Sequence, residues 1–489
     1  MILLGITERI NDIFKPAVDF LAKIFLFDPV KALGFDVGVD VPLVVIWLLI
    51  GGVYFTFRMN FINIRGFRHA IALVSGKYDK PGNKGEVSHF QALTTALSAT
   101  VGLGNIAGVA IAISIGGPGA TFWMILAGFL GMSLKFTECT LGLKYRSISK
   151  KGIVSGGPMY YMEKGFSARK MKYLGKLLAV IYAFIVFMAS FGGGNMFQSN
   201  QAYSQLAEVI PYFRDYSLGF GIFLAAAVGL VIIGGLKSIA RVTSKIVPFM
   251  AIIYVGAALT IIGINITKTD DVLWLIIKEA FNPQSIKGGF VGVLIMGFRR
   301  GAFSNEAGIG SASIAHSAAR TNRPISEGLV ALLEPFIDTV VICTMTAMVI
   351  IFTGYHNNPS HLEGAPLTSA AFESVYSWFP YILVLAILLF AYSTMISWSY
   401  YGEKGFNYLF VPIIKNRLVS SRIYQVLFLG FVILGATTYL KDVIDFSDMM
   451  ILGLSFPNII GLIVLSGEVK KDLNLYMQQL KKKEIRRTS

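Results

Sequence analysis

The sequence has 489 residues, of which 54% are hydrophobic and 15% charged, and its mean hydropathy is +0.64. Soluble globular domains contain roughly a quarter charged residues, so this composition excludes a soluble globule and indicates a protein that lies in lipid. The formal net charge of +15 would suit nucleic-acid binding, but its distribution along the chain excludes that class.

The sequence carries no pattern typical of an enzyme or a metalloprotein. Its two cysteines, Cys139 and Cys343, both lie in apolar segments, and its five histidines show no ligand spacing. We find no G-x-S-x-G, H-E-x-x-H or P-loop motif. We therefore expect no prosthetic group, and an enzymatic function has no support.

The predicted elements begin with an amphipathic segment at 1–39. Residues 6–26 alternate apolar and polar side chains at helical spacing, which predicts a helix lying on the bilayer surface. The segment lacks the cleavage site of a signal peptide. A membrane span needs about 20 mostly apolar residues. By that criterion we predict eleven spans, at 40–58, 93–115, 119–142, 177–200, 217–236, 246–266, 289–315, 328–354, 380–402, 423–440 and 447–466.

The loops between these spans differ strongly in positive charge. One alternate set carries 31 lysines and arginines and the other set only 9. The positive-inside rule places the richer set in the cytoplasm, with the N-terminus outside and the C-terminus inside. Most of the positive charge, including the basic tail at 467–489, then faces the anionic inner leaflet rather than nucleic acid.

Two glycine pairs interrupt predicted spans at matching places. Residues 98–105 read Ser-Ala-Thr-Val-Gly-Leu-Gly-Asn, and residues 305–311 read Asn-Glu-Ala-Gly-Ile-Gly-Ser. Each interruption opens a group of five spans, 93–266 and 289–466. Because five is odd, the two groups cross the membrane in opposite senses, which predicts an inverted repeat preceded by the extra helix at 40–58.

The first interruption has the composition of an ion and solute site. Gly102 and Gly104 allow the helix to unwind, which frees carbonyls near Ser98 and Val101 for a cation and amides for an anionic group. Thr100 and Asn105 add side-chain oxygens. The alternative is close helix packing through the glycines.

Polar residues in two other spans add to this candidate site. Ser393 and Thr394 lie in mid-span, where their hydroxyls either meet a ligand or bond back to the preceding turn. Trp398 follows one turn later and could cap a small pocket. Asn195 and Gln198 share one helix face and either contact a solute or bond between helices.

Charged residues within the spans are few, so each needs a partner or water. Arg299 and Arg300 are candidates for a gate or a structural ion pair, and nearby Phe298 and Phe303 flank Gly301 and could form a pocket wall. Glu306 is the candidate titratable group of a proton-coupled alternative. Further intramembrane charges are Glu334 and Asp338. Lys135 and Glu138 are expected to snorkel to the cytoplasmic surface or to pair with each other.

Several segments resemble the alanine or glycine:cation symporter family. Residues 116–132 follow the family signature from Gly-Gly to Gly-Met and depart from it only at Ile125. Residues 194–198, 303–308 and 398–404 resemble it as well. The resemblance covers about residues 40–465 and leaves out the amphipathic start and the lysine-rich tail.

This resemblance implies an all-α fold like that of the bacterial leucine transporter, with one extra N-terminal helix. It implies sodium coordination by the carbonyls of Ser98 and Val101 with Ser393 and Thr394. It also implies a substrate carboxylate at the amides around Gly102 and Gly104, in a pocket shaped by Gln198, Trp398 and the aromatic residues of the seventh span. Leucine-type transporters have an arginine soon after the Gly-x-Gly-Asn, which this chain lacks; Arg299 or Arg300 is the candidate replacement.

The sequence therefore predicts a sodium-coupled symporter for alanine or glycine in a prokaryotic plasma membrane. We place Thr100, Gly102, Gly104, Gln198, Phe298, Gly301, Phe303, Asn305 and Trp398 at the substrate, and Ser98, Val101, Asn105, Ser393 and Thr394 at sodium. The alternatives are a proton-coupled or a glutamine-type permease. An ion channel is disfavoured because no filter sequence repeats, and a membrane enzyme because no nucleophile or metal set clusters.

Overall fold

A computed structural model describes residues 23, 25–35, 39–78, 82–150, 152–281, 289–357 and 362–482. These residues are mostly helical. The first half contains α1 Pro29–Ala32, α2 Leu43–Arg58, α3 Ile62–Arg65, α4 Phe67–Val74, α5 His89–Thr100, α6 Val109–Gly116, α7 Ala120–Lys144, α8 Pro158–Ser167, α9 Lys172–Phe191, α10 Phe197–Val209, α11 Ser217–Ile232 and α12 Gly235–Ile264.

The second half begins with α13 Thr269–Phe281. There follow α14 Gly289–Asn305, α15 Ala312–His316, α16 Pro324–Ala331, α17 Leu333–Pro335, α18 Thr344–Phe352, α19 Ala365–Glu373, α20 Phe379–Ile414, α21 Arg417–Thr437, α22 Leu440–Gly453 and α23 Ser455–Lys481. Strands β1 Ser147–Ile148 and β2 Val154–Ser155 form an antiparallel pair, with Ser147 opposite Ser155. Three π-helical segments, Gly104–Gly108, Gly192–Met196 and Phe336–Cys343, join neighbouring helices.

Long apolar helices dominate the described part of the chain. Seven of them are long and apolar enough to cross a membrane, and the bent pair α5 and α6 makes an eighth. Two shorter apolar helices, α2 and α11, lie beside them. Every predicted span overlaps one of these helices or the broken pair α14 and α15. The predicted mostly helical membrane fold is confirmed.

The structure corrects some boundaries. Residues 237–245, predicted as a loop, lie inside α12. Lysine and arginine end an apolar stretch but have high helix propensity, so the helix extends beyond that stretch. The basic tail continues α23 as a helix to Lys481 and buries Val469, Leu473 and Tyr476. The predicted surface helix at 6–26 falls almost wholly outside the described residues.

The breaks in the helices have identifiable local causes. Helix α5 begins with a capping box of Ser88 and Gln91 and ends at Thr100, after which the chain bends by 51° into the segment Gly104–Gly116. Helix α14 ends at Asn305, where Glu306, Gly308 and Gly310 take positive φ angles of 55°, 92° and 82°. A left-handed backbone cannot continue a right-handed helix, so α15 starts in a new direction.

Candidate functional site

The two predicted helix breaks pack against each other. A Cβ built on Gly104 in the first break would lie 3.5 Å from the Cα of Ser304 at the second. At Gly102 a Cβ would lie 2.4 Å from Oγ1 of Thr394, so the backbone approaches α20 more closely than any larger residue permits. The interrupted helices and α20 therefore meet at one buried point.

Backbone amides of the first break are held by side-chain oxygens. The Gly102 amide donates to Oδ1 of Asn105 at 2.9 Å, and the Leu103 amide donates to Oε1 of Gln198 at 3.2 Å. Nε2 of Gln198 donates to the Gly193 carbonyl at 2.9 Å. These are the amides expected at a substrate carboxylate, and an anion bound there would share or replace the two side-chain acceptors.

Four of the residues predicted at sodium cluster where α5 meets α20. Thr394 Oγ1 donates to the Ser98 carbonyl at 3.0 Å, and Ser98 Oγ donates to the Ser393 carbonyl at 2.6 Å. The Ser393 hydroxyl bonds back to the Phe390 carbonyl at 3.0 Å. Val101, which directly follows α5, is also buried. The back-bonding alternative thus describes Ser393 but not Thr394.

The second break is organised around the buried carboxylate of Glu306. Trp398 Nε1 donates to Oε1 of Glu306 at 2.8 Å, and Ser311 Oγ donates to its other oxygen. A Cβ on Gly194 would lie 2.4 Å from the indole of Trp398, so the glycine run at 192–194 leaves just enough room for that ring. A hydrogen bond to the second break therefore holds the ring of Trp398, which the sequence predicted as a pocket cap.

The other predicted pocket residues contact different helices. Phe303 packs edge-on against Phe197 at 5.7 Å between ring centroids. A Cβ on Gly301 would lie 3.0 Å from Cβ of Ala127, so this glycine packs against α7. Asn305 accepts from the Ala307 amide at 2.9 Å, and its Nδ2 is buried with no partner among the described residues.

Two more of these residues are simply buried. Phe298 is 3% exposed and Thr100 is 4% exposed. The Thr100 hydroxyl reaches back only to the carbonyls of Ala96 and Leu97, both at 3.4 Å. Those contacts are long for hydroxyl hydrogen bonds, so they leave this group weakly satisfied.

A carboxylate to which the sequence assigned no role lies at the junction of the breaks. Asp338, in the π-helical segment Phe336–Cys343, accepts from Asn105 Nδ2 at 2.7 Å, Ser304 Oγ at 2.8 Å and Thr339 Oγ1 at 2.7 Å. It is fully buried. An acid in mid-span was the available signal, but the sequence does not show which break it faces.

Arg299 and Arg300 form the structural ion pair that was one of their two predicted roles. Asp448 on α22 accepts from Nε of Arg299 at 3.0 Å and from Nη1 of Arg300 at 3.3 Å. The Asp448 side chain is 1% exposed. The Arg300 guanidinium also lies 5.6 Å from the centre of the Phe303 ring, so the ion pair adjoins the predicted pocket wall.

Of the two alternatives predicted for Lys135 and Glu138, snorkelling to the surface or pairing with each other, the first is wrong. Both side chains are fully buried in α7. Lys135 Nζ lies 3.4 Å from Oε2 of Glu334, and Glu138 accepts from Asn458 Nδ2 at 2.9 Å. Partners on other helices make burial possible, since a paired charge need not reach water.

Comparisons with known proteins agree with this architecture. Interrupted apolar helices with polar side chains buried at their breaks are typical of multi-pass membrane transporters. Residues 33–489 match the sequence profile of the sodium:alanine symporter family, and the chain belongs to that family.

Two relatives each cover at least 90% of this chain. The sodium/alanine symporter AgcS of Methanococcus maripaludis is 40% identical over 91% of this chain and 96% of its own. The probable sodium/glutamine symporter GlnT of Bacillus subtilis is 37% identical over 90% of this chain and 88% of its own. A sodium-coupled sialic acid symporter solved in a substrate-bound outward-open state shares the fold, with a TM-score of 0.50, 12% identity and coverage of 83% of this chain and 85% of that one.

Proposed function

We propose that this protein imports alanine or glycine together with sodium by alternating access. The observation that carries the proposal is the meeting of two helix breaks with α20 at one buried point, where Gly102 lies against Thr394. Broken helices at mid-membrane expose backbone dipoles that can hold both an ion and a charged solute. The relative AgcS, which is named as a sodium/alanine symporter, supports sodium as the coupling ion and alanine as the substrate.

We assign sodium to uncharged oxygens and one carboxylate. The carbonyls of Ser98 and Val101 with the hydroxyls of Ser393 and Thr394 supply one set of ligands. Asn105 belongs to a second set, to which we add Ser304 and Asp338. Hard oxygen ligands suit a small monovalent cation, and a cation would balance the buried charge of Asp338.

We place the amino acid between the first break and Trp398. Its carboxylate would face the amides of Gly102 and Gly104, next to Thr100 and Gln198. Phe298, Phe303 and the segment from Gly301 to Asn305 would form the other wall. The close approach of Trp398 to Gly194 leaves little space, which favours a small side chain.

We further propose eleven spans in a prokaryotic plasma membrane, with 93–266 and 289–466 as inverted repeats after the helix at 40–58. The bias of 31 against 9 lysines and arginines supports an external N-terminus and a cytoplasmic C-terminus. Each positive charge carried inward gains about 2.3 kcal/mol per 100 mV, which multiplies accumulation roughly fifty-fold.

Uptake of radiolabelled alanine into proteoliposomes tests the proposal. Uptake that overshoots with an inward sodium gradient but not with potassium is expected. Flat uptake with both ions, from folded protein, would contradict it. The glutamine-type alternative, favoured by the GlnT relative, predicts that unlabelled glutamine competes more strongly than glycine. The proton-coupled alternative, which rests on the buried Glu306, predicts uptake driven by a pH gradient without sodium.

A further inference from the structure

A continuous chain of titratable side chains lies buried among α5, α7, α15, α16 and α17. His316 Nδ1 lies 2.5 Å from Oε1 of Glu327, and His316 Nε2 lies 2.5 Å from Oε1 of Glu334. Glu327 also contacts His89 Nδ1 through its second oxygen. Lys135 Nζ lies 3.4 Å from the second oxygen of Glu334. Four of these residues are fully buried and His89 is 4% exposed.

The geometry fixes how many protons these groups share. An ionised carboxylate only accepts hydrogen bonds, and a neutral imidazole donates from one nitrogen and accepts at the other. Both ring nitrogens of His316 face carboxylate oxygens, so one more proton is needed than a neutral imidazole supplies. His89 can satisfy its contact with Glu327 by donating from Nδ1.

Charge balance requires the extra proton, and intrinsic basicity places it on His316, because an imidazole binds a proton more tightly than a carboxylate does. Lys135 lies against Glu334 and keeps that carboxylate ionised, because an adjacent cation favours the anion. Without the proton, Lys135, Glu327 and Glu334 would leave a net negative charge inside the membrane. With His316 as an imidazolium, the charges of Lys135, Glu334, His316 and Glu327 alternate in sign along the chain and sum to zero.

Other titratable groups adjoin this chain, and the carboxyl groups among them have their own partners. Cys139 on α7 lies near His316 and Glu334. Its sulfur, a ring nitrogen of His316 and a carboxylate oxygen of Glu334 lie within 4.8 Å of one another. Glu138, also on α7, is hydrogen-bonded to Asn458 of α23. Glu306 at the second break is engaged by Trp398 and Ser311.

We propose that His316, Glu327 and Glu334 form a proton-binding site, in which a histidine imidazolium joins α15 to α16 and α17. The proton is a bound ion of the folded protein, separate from the sodium and substrate positions. The site stands on its own contacts and does not depend on the proposed sodium coupling.

Nitrogen NMR of the protein in lipid, with ¹⁵N-labelled histidine, tests the protonation state. At about pH 8, above the unperturbed histidine pKa of about 6.5, one histidine should show both ring nitrogens protonated. That signal should vanish in His316→Gln and persist in His69→Gln. Only neutral rings at this pH would overturn the proposal. So would a signal that shifts when EDTA strips a metal, since Cys139, His316 and Glu334 would then be ligands.

Thermal unfolding against pH, without sodium or substrate, tests the same proton independently of transport. The folded protein holds a proton that the unfolded chain releases above about pH 6.5, so the melting temperature should fall as pH rises from about 6 to 9. Glu327→Gln removes one acceptor charge and hence the need for the proton, so its melting temperature should depend less on pH. An equal pH slope in the wild type and Glu327→Gln would overturn the proposal.

Glu163→Gln is the matched control. Burial opposes the charge of Glu163, but hydrogen bonds from Lys176 and Tyr408 hold the pKa of this carboxyl below its usual range. The control should therefore keep the wild-type slope between about pH 6 and 9. If Glu327→Gln does not fold, Glu334→Gln allows the same comparison, because it also removes one carboxylate from His316.

Discussion

The side-chain amide of Asn105 donates to Oδ1 of Asp338 at 2.7 Å. This bond ties the first helix break to the π-helical segment between α17 and α18, and Ser304 brings the second break to the same carboxylate. A single buried anion thus contacts both breaks. A cation bound here would have a charged ligand that the uncharged oxygens around Ser98 do not provide.

Asp338→Asn should weaken sodium binding. The change keeps the shape of the side chain and removes the negative charge, so the half-saturating sodium concentration should rise by about tenfold, which corresponds to about 1.4 kcal/mol. Sodium titration of alanine uptake measures it. Asp271→Asn, at an exposed residue of α13, is the control. Unchanged sodium affinity in Asp338→Asn would remove Asp338 from the site.

Gly102→Ala should abolish sodium-driven uptake, whereas Gly108→Ala should retain it. A Cβ at Gly102 would lie 2.4 Å from Thr394 Oγ1 and 3.2 Å from Gln198 Oε1, while at Gly108 nothing lies within 4 Å. The two glycines lie in the same interrupted segment, so the comparison separates crowding at the site from a general effect on the helix. Equal uptake by both variants would contradict the site.

Trp398→Phe should weaken substrate binding. The variant keeps an aromatic ring but loses the indole N–H that holds Glu306 at 2.8 Å. The smaller ring and the released Glu306 alter the proposed pocket wall, so we expect the half-saturating alanine concentration to rise by about fivefold, which corresponds to about 1 kcal/mol. Competition by unlabelled amino acids measures it. Trp274→Phe, on the exposed face of α13, should behave as wild type; a wild-type profile for Trp398→Phe would exclude Trp398 from the pocket.

Arg300→Gln and Asp448→Asn should each destabilise the protein, and the sum of their two effects should exceed the effect of the double variant. Removing one partner of a buried ion pair leaves the other charge unpaired and costs about 3–5 kcal/mol. Arg299 also contacts Asp448, so Asp448→Asn should be the more harmful single change. Melting temperatures of both single variants and the double variant form the test, and additive effects would show that the pair contributes no coupling.

Cysteine labelling should establish the orientation in the membrane. Glu373→Cys and Leu475→Cys both replace exposed residues, and the two native cysteines are buried, so they should give little background. An impermeant thiol reagent added to intact cells should label position 373 but not position 475. The reverse pattern would invert the proposed topology.

The sequence alone predicted the helices and their breaks. Apolar runs and glycines act over one or two helical turns, so they predicted the helical membrane fold and the breaks at 98–105 and 305–311. Hydropathy predicted the helix ends less accurately. Residues 237–245 continue α12, because charged residues end an apolar run but still favour a helix.

The partners of the buried charges depended on tertiary structure. Asn105 and Asp338 are 233 residues apart, and Arg300 and Asp448 are 148 apart. Hydropathy indicates that a helix crosses the membrane, but not how it is rotated or at what depth its polar groups meet those of another helix. The sequence therefore predicted that Lys135 would snorkel to the surface or pair with Glu138, because its own helix does not reveal Glu334. Only the packing of α7 against α17 placed that charge in the core beside Glu334.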